Sequence, residues 1–259
     1  MSTYRAKGIV IKYTDLREAD RIITFYTANL GKVQAVAKGV RKTLSKLGCH
    51  FDLFSLVQLE LTEGRNLDTV IGAQAVDCFS NIRKSLSKTS QVYYLAELIN
   101  KLVPDEYKDT RIFDLLSSTL KILNSDVWQS EIEEGLVVQA FKMKLLQLIG
   151  FSPQLGECVQ CSQPASPSGE YFFVNQSSGI RCKSCRKGSK SGTKLSAMTL
   201  KLLRTMSKKD FIYISKIVVD NKTLSATNDI LDNYIKFIIE QEPRSLRFVA
   251  KVKGLADKP

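Results

Sequence analysis

The chain has little histidine and no long uncharged apolar run, and both absences exclude classes of function. Its single histidine, His50, is too few for a multi-histidine metal site and would have to carry any histidine-based triad alone. No apolar run reaches the roughly 18 residues of a membrane span, and charges interrupt residues 1–12, unlike a signal peptide. We therefore expect a cytoplasmic protein, whose thiols stay reduced.

Nucleotide-binding and nucleophile motifs are also missing. Gly31-Lys32 is followed by Val33 instead of serine or threonine, and the other glycine of a phosphate-binding loop does not precede it. Gly192-Thr193-Lys194 has the right residue types in the wrong order, and no G-x-S-x-G occurs. These absences predict a protein that is not an enzyme.

The most specific feature that the sequence does contain is a pair of CxxC motifs, Cys158 with Cys161 and Cys182 with Cys185. Their spacing predicts a tetrahedral site for one structural zinc ion, because four cysteine ligands leave no open position for water. A thioredoxin-like role needs a single CxxC that opens a helix, and a zinc deaminase needs an H-x-E motif, which is absent here. The remaining cysteines, Cys49 and Cys78, are expected to be buried free thiols without an assigned role.

The apolar pattern changes near residue 80. Before it, five short segments rich in β-branched and aromatic residues alternate with turn-prone residues, which predicts strands at 5–13, 20–27, 32–40, 53–61 and 68–76. Glycine at position 31 is expected to take a positive φ in the turn between the second and third strands. Five antiparallel strands in so short a segment match a small closed barrel such as the OB-fold.

After residue 82 the apolar residues recur at helical spacing. Helices are predicted around 92–99, at 110–124, from 130 to a stop at Gly150, after 196, and along a last long stripe at 231–238. Ser130 with Glu133 forms a capping box, and Ser196 caps the helix that follows it. The predicted fold class is α+β: an OB-fold barrel at 1–80, then a helical domain at 81–259 with a zinc-finger insert at about 154–192.

The net charge of +12 is concentrated in two blocks that contain no acidic residue, 21–51 and 171–209. Such blocks predict a polyanion partner, most simply nucleic acid, and the alternative is a solvated surface kept for solubility. The candidate DNA-binding residues of the first block are Lys32, Lys38, Arg41, Lys42 and Lys46. The second basic patch, which either contacts DNA or only surrounds the metal, consists of Arg181, Lys183, Arg186 and Lys187.

The third predicted strand has a basic face and an apolar face, since side chains alternate along a strand. Lys32 and Lys38 lie on the basic face, and the opposite face is made of Val33, Ala35 and Ala37. Four aromatic residues of the barrel are available to stack on bases, although core packing is the stronger interpretation for any one of them. They are Tyr4, Tyr13, Phe25 and Tyr26.

Three short stretches and the paired CxxC motifs resemble the RecO family of bacterial DNA-repair proteins. The stretches are residues 18–24 (EADRIIT), 31–33 (GKV) and 37–41 (AKGVR), and the similarity in order of parts covers nearly the whole chain. The family usually has two glycines before the second CxxC, where this chain has Ser178-Gly179. The resemblance implies an OB-fold followed by a helical domain that carries a zinc finger.

The resemblance also implies a role in DNA damage repair and homologous recombination. A member of this family binds single- and double-stranded DNA, anneals complementary strands and, with RecR, helps load RecA onto coated single-stranded DNA. Its other implied partner is the acidic C-terminal tail of the single-stranded-DNA-binding protein, and its implied location is the bacterial cytoplasm at the nucleoid. The alternative is a non-catalytic zinc-ribbon factor that binds RNA or assists transcription.

Overall fold

The computed structural model describes residues 2–41, 51–105, 107–125, 130–186, 192–214 and 216–256. The chain divides into two compact units, the first formed by Met1–Asp126 with Pro243–Pro259 and the second by Val127–Glu242. The predicted division at residue 80 coincides with the change from strands to helices. As a boundary between domains it stays a prediction.

The first unit opens with a closed barrel of five strands in the order β1-β2-β3-β5-β4. Only β3 and β5 pair in parallel, and the other neighbours are antiparallel. The strands are β1 (Thr3–Asp15), β2 (Arg21–Thr27), β3 (Gly31–Ala37), β4 (Leu56–Thr62) and β5 (Asp68–Asp77). This barrel confirms the predicted OB-fold class, with strand ends that differ from the predicted ones by up to three residues.

The inner face of β3 is the predicted one, since Val33, Ala35 and Ala37 are buried in the barrel core. At the start of β3, Gly31 has a φ of 69°. A Cβ atom there would lie 2.6 Å from the carbonyl oxygen of Tyr107, so both the backbone conformation and the close approach require glycine. The positive φ expected between the second and third strands is confirmed.

The helices continue the chain after the barrel. They are α1 (Ser80–Lys84), α2 (Leu86–Leu102), α3 (Thr110–Asn124), α4 (Glu131–Leu148), α5 (Ala197–Lys208), α6 (Phe211–Ile214), α7 (Asn221–Ile239) and α8 (Arg244–Ala256). The first three and α8 belong to the first unit. Among the helices of the described segments, none combines the length and the apolar character that crossing a bilayer requires.

Local sequence signals correctly placed both ends of α4 and the start of α5 in the second unit. The capping box of α4 is present, with the Ser130 hydroxyl accepting from the Glu133 amide at 3.2 Å and the Glu133 carboxylate accepting from the Ser130 amide at 3.1 Å. Ser196 accepts from the Thr199 amide at 3.0 Å and caps α5. After α4 the chain turns at Gly150, whose φ is 84°. Caps were predictable because they depend on neighbours within four residues.

The C-terminal helix α8 was not predicted, since the stripe that forms α7 was expected to be the last long helix. Its apolar side is narrow, and Val249 and Val252 are its buried apolar residues in the described set. They pack α8 against α2 in the first unit. The helix therefore depends on a tertiary partner more than on its own periodicity.

Candidate metal centre and nucleic-acid interface

The four cysteines lie in a small module built on a three-stranded antiparallel sheet in the order β7-β6-β8. Its strands are β6 (Tyr171–Val174), β7 (Gly179–Cys182) and β8 (Thr193–Leu195). Cys182 ends β7, and the first CxxC turn is attached to the same strand by the Val159 amide, which donates to the Ile180 carbonyl at 2.8 Å. The sheet therefore brings two distant turns to one point.

The turn before β7 explains how this chain tolerates serine where its resemblance to the RecO family leads us to expect a first glycine. Ser178 has a φ of 48°, in the left-handed region that glycine favours. At Gly179 a Cβ atom would lie 2.6 Å from the Gln154 carbonyl oxygen, so no side chain fits there. Ser178 can therefore adopt the left-handed backbone conformation at the first position. At the second position only glycine fits beside the Gln154 carbonyl.

The four cysteine sulfurs have the spacing of a metal donor set. All four Sγ atoms lie within 4.8 Å of one another, and those of Cys161 and Cys182 are 3.9 Å apart. A tetrahedral zinc ion with Zn–S bonds of about 2.3 Å separates its sulfurs by about 3.8 Å. The side chains therefore fit a four-coordinate ion, and the cluster predicted from spacing is confirmed as a geometric cluster.

The surroundings shift the pKa values of two of the thiols in opposite directions. Burial opposes ionisation of Cys158, but backbone N–H groups, first that of Cys182, lower its pKa to about 6. Hydrogen bonds with Cys182 and Cys161 raise the pKa of Cys185 to about 12. Four thiolates this close repel one another, and a divalent cation removes that conflict.

The second basic patch is partly assembled around one aromatic ring of the module. Phe172 pairs across the sheet with Arg181, and the Arg186 guanidinium carbon lies 3.9 Å from the centroid of the Phe172 ring. Lys183 instead binds Glu170 at 2.5 Å and, together with a second lysine, lowers the pKa of that carboxyl to about 2. Lys187 lies outside the described residues.

Residues 38–41 of the first basic block form an anchored turn at one end of the barrel. Residues 38–41 follow β3, and the Gly39 amide donates to the Asp20 carboxylate at 2.7 Å. The Arg41 amide donates to the Ala19 carbonyl at 3.1 Å, which attaches the turn to the connection between β1 and β2. Lys38 and Arg41 are exposed there. Backbone contacts therefore hold both side chains at the surface.

Two further arginines lie beside residues 38–41 and were missed from sequence, and one of them, Arg17, contacts Arg41. Arg17 is exposed in the β1–β2 connection, and its carbonyl accepts from the Arg41 guanidinium at 3.3 Å. Arg21 binds Asp15 at 2.7 Å, and this contact lowers the pKa of Asp15. The conspicuous stretch EADR was an available signal, because it contains both Asp20 and Arg21. We define the basic turn as Arg17, Lys38 and Arg41.

Lys32 is separated from this surface. Its side chain is 5% exposed, and its ammonium group binds Asp105 at 2.5 Å and donates to the Asn100 carbonyl at 3.0 Å. Its expected contact with DNA is therefore not carried forward, because the ammonium is itself buried and already bound to two partners. Lys42, Lys46, Cys49 and His50 lie outside the described residues.

The four candidate aromatic residues of the barrel also differ in exposure, and most of them are not available to a partner. Phe25 and Tyr26 are fully buried, as the core interpretation required. Burial raises the pKa of Tyr26 to about 12, and its hydroxyl donates to the Asp109 carbonyl at 3.2 Å. Tyr4 donates to Asp68, whereas Tyr13 remains 37% exposed. Of the four, Tyr13 is the one available to a partner at the basic end of the barrel.

Comparison with known proteins assigns the whole chain to one family. Residues 1–79 match the family model described as recombination protein O N terminal, and residues 83–247 match recombination protein O C terminal. A DNA repair protein RecO from Dehalococcoides mccartyi is 35% identical over 94% of this chain and 93% of its own length. A protein of the same name from a Roseiflexus species is 33% identical over 97% of this chain and 87% of its own length. Another, from Alkaliphilus metalliredigens, is 30% identical over 89% of this chain and 92% of its own length. The chain therefore belongs to the RecO family of DNA-repair proteins.

Proposed function

We propose that this protein binds single- and double-stranded DNA at the basic turn, anneals complementary strands and, with RecR, helps load RecA onto coated single-stranded DNA. Such work needs no catalytic step and would take place at the nucleoid in the bacterial cytoplasm. The observation that carries the proposal is the exposed pair Lys38 and Arg41, fixed by backbone contacts at the end of an OB-fold barrel.

The chemistry of the basic turn suits a phosphate backbone more than a particular base sequence. Lysine and arginine neutralise phosphates and release counterions, which gives salt-sensitive binding to any sequence. The contact between Arg41 and Asp15, at 3.5 Å, offsets part of the charge and orients the guanidinium. Because the turn is already ordered, little conformational entropy is lost when DNA binds.

We further propose that Cys158, Cys161, Cys182 and Cys185 hold one structural zinc ion. When bound, the ion cross-links the two CxxC turns and supplies folding free energy of the order of 10 kcal/mol to a module with a small core. The chain's own contribution is to orient the sulfurs, and the amide of Cys182 does so by donating to the Cys158 sulfur at 3.4 Å. With four protein ligands, a catalytic role for the ion is not part of the proposal.

A groove in the second unit has the chemistry required for the acidic tail of the single-stranded-DNA-binding protein. Its volume is about 340 Å³, and Met198 and Tyr213 on its wall are about half exposed. Its basic residues are Lys201, Arg204, Lys208 and Lys209. Four cations beside exposed apolar side chains suit an acidic peptide. Charge reversal at Lys201 and Lys208 should weaken binding of such a peptide, and unchanged affinity would exclude this groove.

Strand annealing tests the main proposal. Complementary strands coated with single-stranded-DNA-binding protein should anneal faster when the protein is added, and the double variant Lys38→Glu/Arg41→Glu should lose at least about ten-fold in affinity for all sequences near 0.1 M salt. The matched control is Lys216→Glu/Lys222→Glu, which changes the net charge equally at two exposed lysines of the second unit.

Three results would contradict parts of the proposal. Failure of a folded, zinc-replete sample to speed annealing would exclude the annealing function. Equal losses in the test and control variants would show that total charge, and not the basic turn, governs binding. A preference for duplex RNA over single-stranded DNA would favour the alternative function as an RNA-binding or transcription-associated factor.

A further inference from the structure

Two partly exposed aromatic side chains meet in the first unit, and a third lies on a strand that packs against the same helix. Tyr13 lies near the end of β1, Tyr93 in α2 and Phe248 in α8, and they are 37%, 38% and 38% exposed. The rings of Tyr93 and Phe248 meet edge to face, with centroids 6.2 Å apart at 89°. Tyr93 also contacts the ring of buried Phe54, at 5.0 Å and 88°. The buried ring of Phe54 therefore packs against the ring of Tyr93.

Tyr13 belongs to β1, which packs against α2, the helix that carries Tyr93. Burial raises the pKa of Tyr93, and the neighbouring Tyr13 raises it further. The Arg21 guanidinium carbon lies 4.3 Å from the centroid of the Tyr13 ring. We call Tyr13, Tyr93 and Phe248 the aromatic platform.

Cations border the platform on the side of α8. This helix contains no acidic residue, and its exposed Arg244 and Lys251 lie four residues before and three after Phe248. Residues at these separations are neighbours on a helix surface. Two other arginines of the first unit, Arg83 and Arg21, are paired with carboxylates. Arg83 binds Asp52 at 2.8 Å and Arg21 binds Asp15, so the positive charges of these two arginines are largely balanced. The net excess of positive charge is therefore on α8.

The position of α8 is set by a carboxylate of α2. Glu97 accepts from the Arg244 amide at 3.0 Å, from the Ser245 amide at 2.8 Å and from the Ser245 hydroxyl at 2.5 Å. These contacts hold the first turn of α8, where a negative charge is favourable. Phe248 follows one turn later and is thereby kept against Tyr93.

We propose that the aromatic platform is a stacking site for the bases of single-stranded nucleic acid, with Arg244 and Lys251 contacting the backbone beside it. Exposed aromatic rings bordered by cations are the means by which proteins bind unpaired strands, and each stacked base contributes about 1–3 kcal/mol. A duplex keeps its bases stacked inside, so the platform should distinguish single strands from duplexes. This inference rests on the proposed DNA binding, and it adds a site that the basic turn does not contain.

Binding of a single-stranded oligothymidine of about 20 nucleotides and of a duplex of equal length tests the platform. Tyr13→Ala and Phe248→Ala should each weaken single-strand binding by about 5- to 20-fold and change duplex binding by less than about two-fold. The matched control is Phe237→Ala, which removes a 45% exposed phenylalanine from α7 in the second unit. A further variant, Phe248→Trp, should show tryptophan fluorescence quenching by oligothymidine beyond that of the parent protein.

The outcomes separate this inference from the proposed function. Unchanged single-strand affinity in both alanine variants, or equal losses on single strands and duplexes, would overturn the platform and leave DNA binding intact. The absence of extra quenching in a folded Phe248→Trp sample would overturn it as well. A parent protein that binds neither DNA would overturn the proposed function and the platform together. A dimer that dissociates in Phe248→Ala while affinity is unchanged would assign the surface to a second copy of the chain.

Discussion

Charged residues of the same type have different environments in this molecule. The position of a lysine in the sequence does not reveal whether its side chain is exposed or buried. Lys32 and Lys38 were predicted to share one strand face, yet Lys38 is exposed whereas Lys32 is bound to Asp105 and Asn100. The partners of Lys32 lie about 70 residues away in the chain. Strand alternation indicates the direction of a side chain, but it does not indicate what packs over it.

Lys142 is the most deeply buried lysine with a described partner, and it provides a residue-level prediction. Its side chain is 1% exposed and binds Asp232, which is 8% exposed, at 2.6 Å. Lys142→Ala removes the cation beside the buried Asp232 carboxylate and should lower the free energy of unfolding by about 3–5 kcal/mol in urea titrations. The double variant Lys142→Met/Asp232→Leu should recover most of this loss, because it removes both charges.

The control for this prediction is Lys222→Ala, an exposed lysine of α7 that should change the free energy of unfolding by less than about 0.5 kcal/mol. A loss below about 1 kcal/mol for Lys142→Ala would contradict the assigned role of the buried pair.

Elements differ in how much of their stability is local. The helix α3 has the predicted bounds, and α4 has its predicted capping box, because periodicity and caps are properties of a few consecutive residues. The helix α8 lacked such a signal and depends on Glu97 and on packing against α2. An element that is stabilised by distant residues is hard to predict from its own sequence.

The docking of α8 should depend on pH through Glu97. Burial acts to raise the pKa of this carboxyl, but the hydrogen bonds from Ser245 and Arg244 outweigh burial and lower it below its ordinary value of 4.5. The ionised form is therefore favoured in the native state, and its contribution is complete above pH 4.5 and lost as the pH falls through the lower native pKa. Glu97→Gln should lower the free energy of unfolding by about 1 kcal/mol at pH 7.

Urea titrations of the parent and of Glu97→Gln at pH 7 and at about pH 3.5 test this expectation. The difference between the two proteins should shrink at the lower pH, because the stability that the ionised carboxylate contributes declines as the pH falls below 4.5. Glu63→Gln, a change at an exposed carboxyl of the first unit, serves as the control. A difference that is the same at both pH values would show that ionisation of Glu97 does not stabilise α8.

At the scale of the whole molecule, the two units carry different kinds of site. The four cysteines belong to the second unit, whereas the basic turn and the aromatic platform belong to the first. The module around the cysteines has short strands of three or four residues and a small core of its own. The stability of this module should therefore depend on the proposed zinc ion more than the stability of the barrel does.

Removal of the metal should consequently affect one unit selectively. Treatment with a strong chelator should make residues 156–187 sensitive to protease, while the five barrel strands stay protected, because the bound ion supplies folding free energy only to the module that ligates it. Limited proteolysis with mass-spectrometric mapping measures both regions at once, and re-addition of zinc should restore protection. Unchanged cleavage of residues 156–187 after complete removal of metal would contradict a structural role for the ion.

The sequence by itself determined the cysteine cluster, the change from strands to helices near residue 80, the caps of α4 and α5, and the family resemblance. Each depends on spacing or on residues within about one helical turn, so no tertiary information is needed. Only the tertiary structure decided that Lys32 is buried, that Arg17 contacts Arg41, and that the rings of residues 93 and 248 meet. These features depend on which distant segments pack together, because burial, ion pairing and ring contacts are properties of the folded chain and not of any one segment.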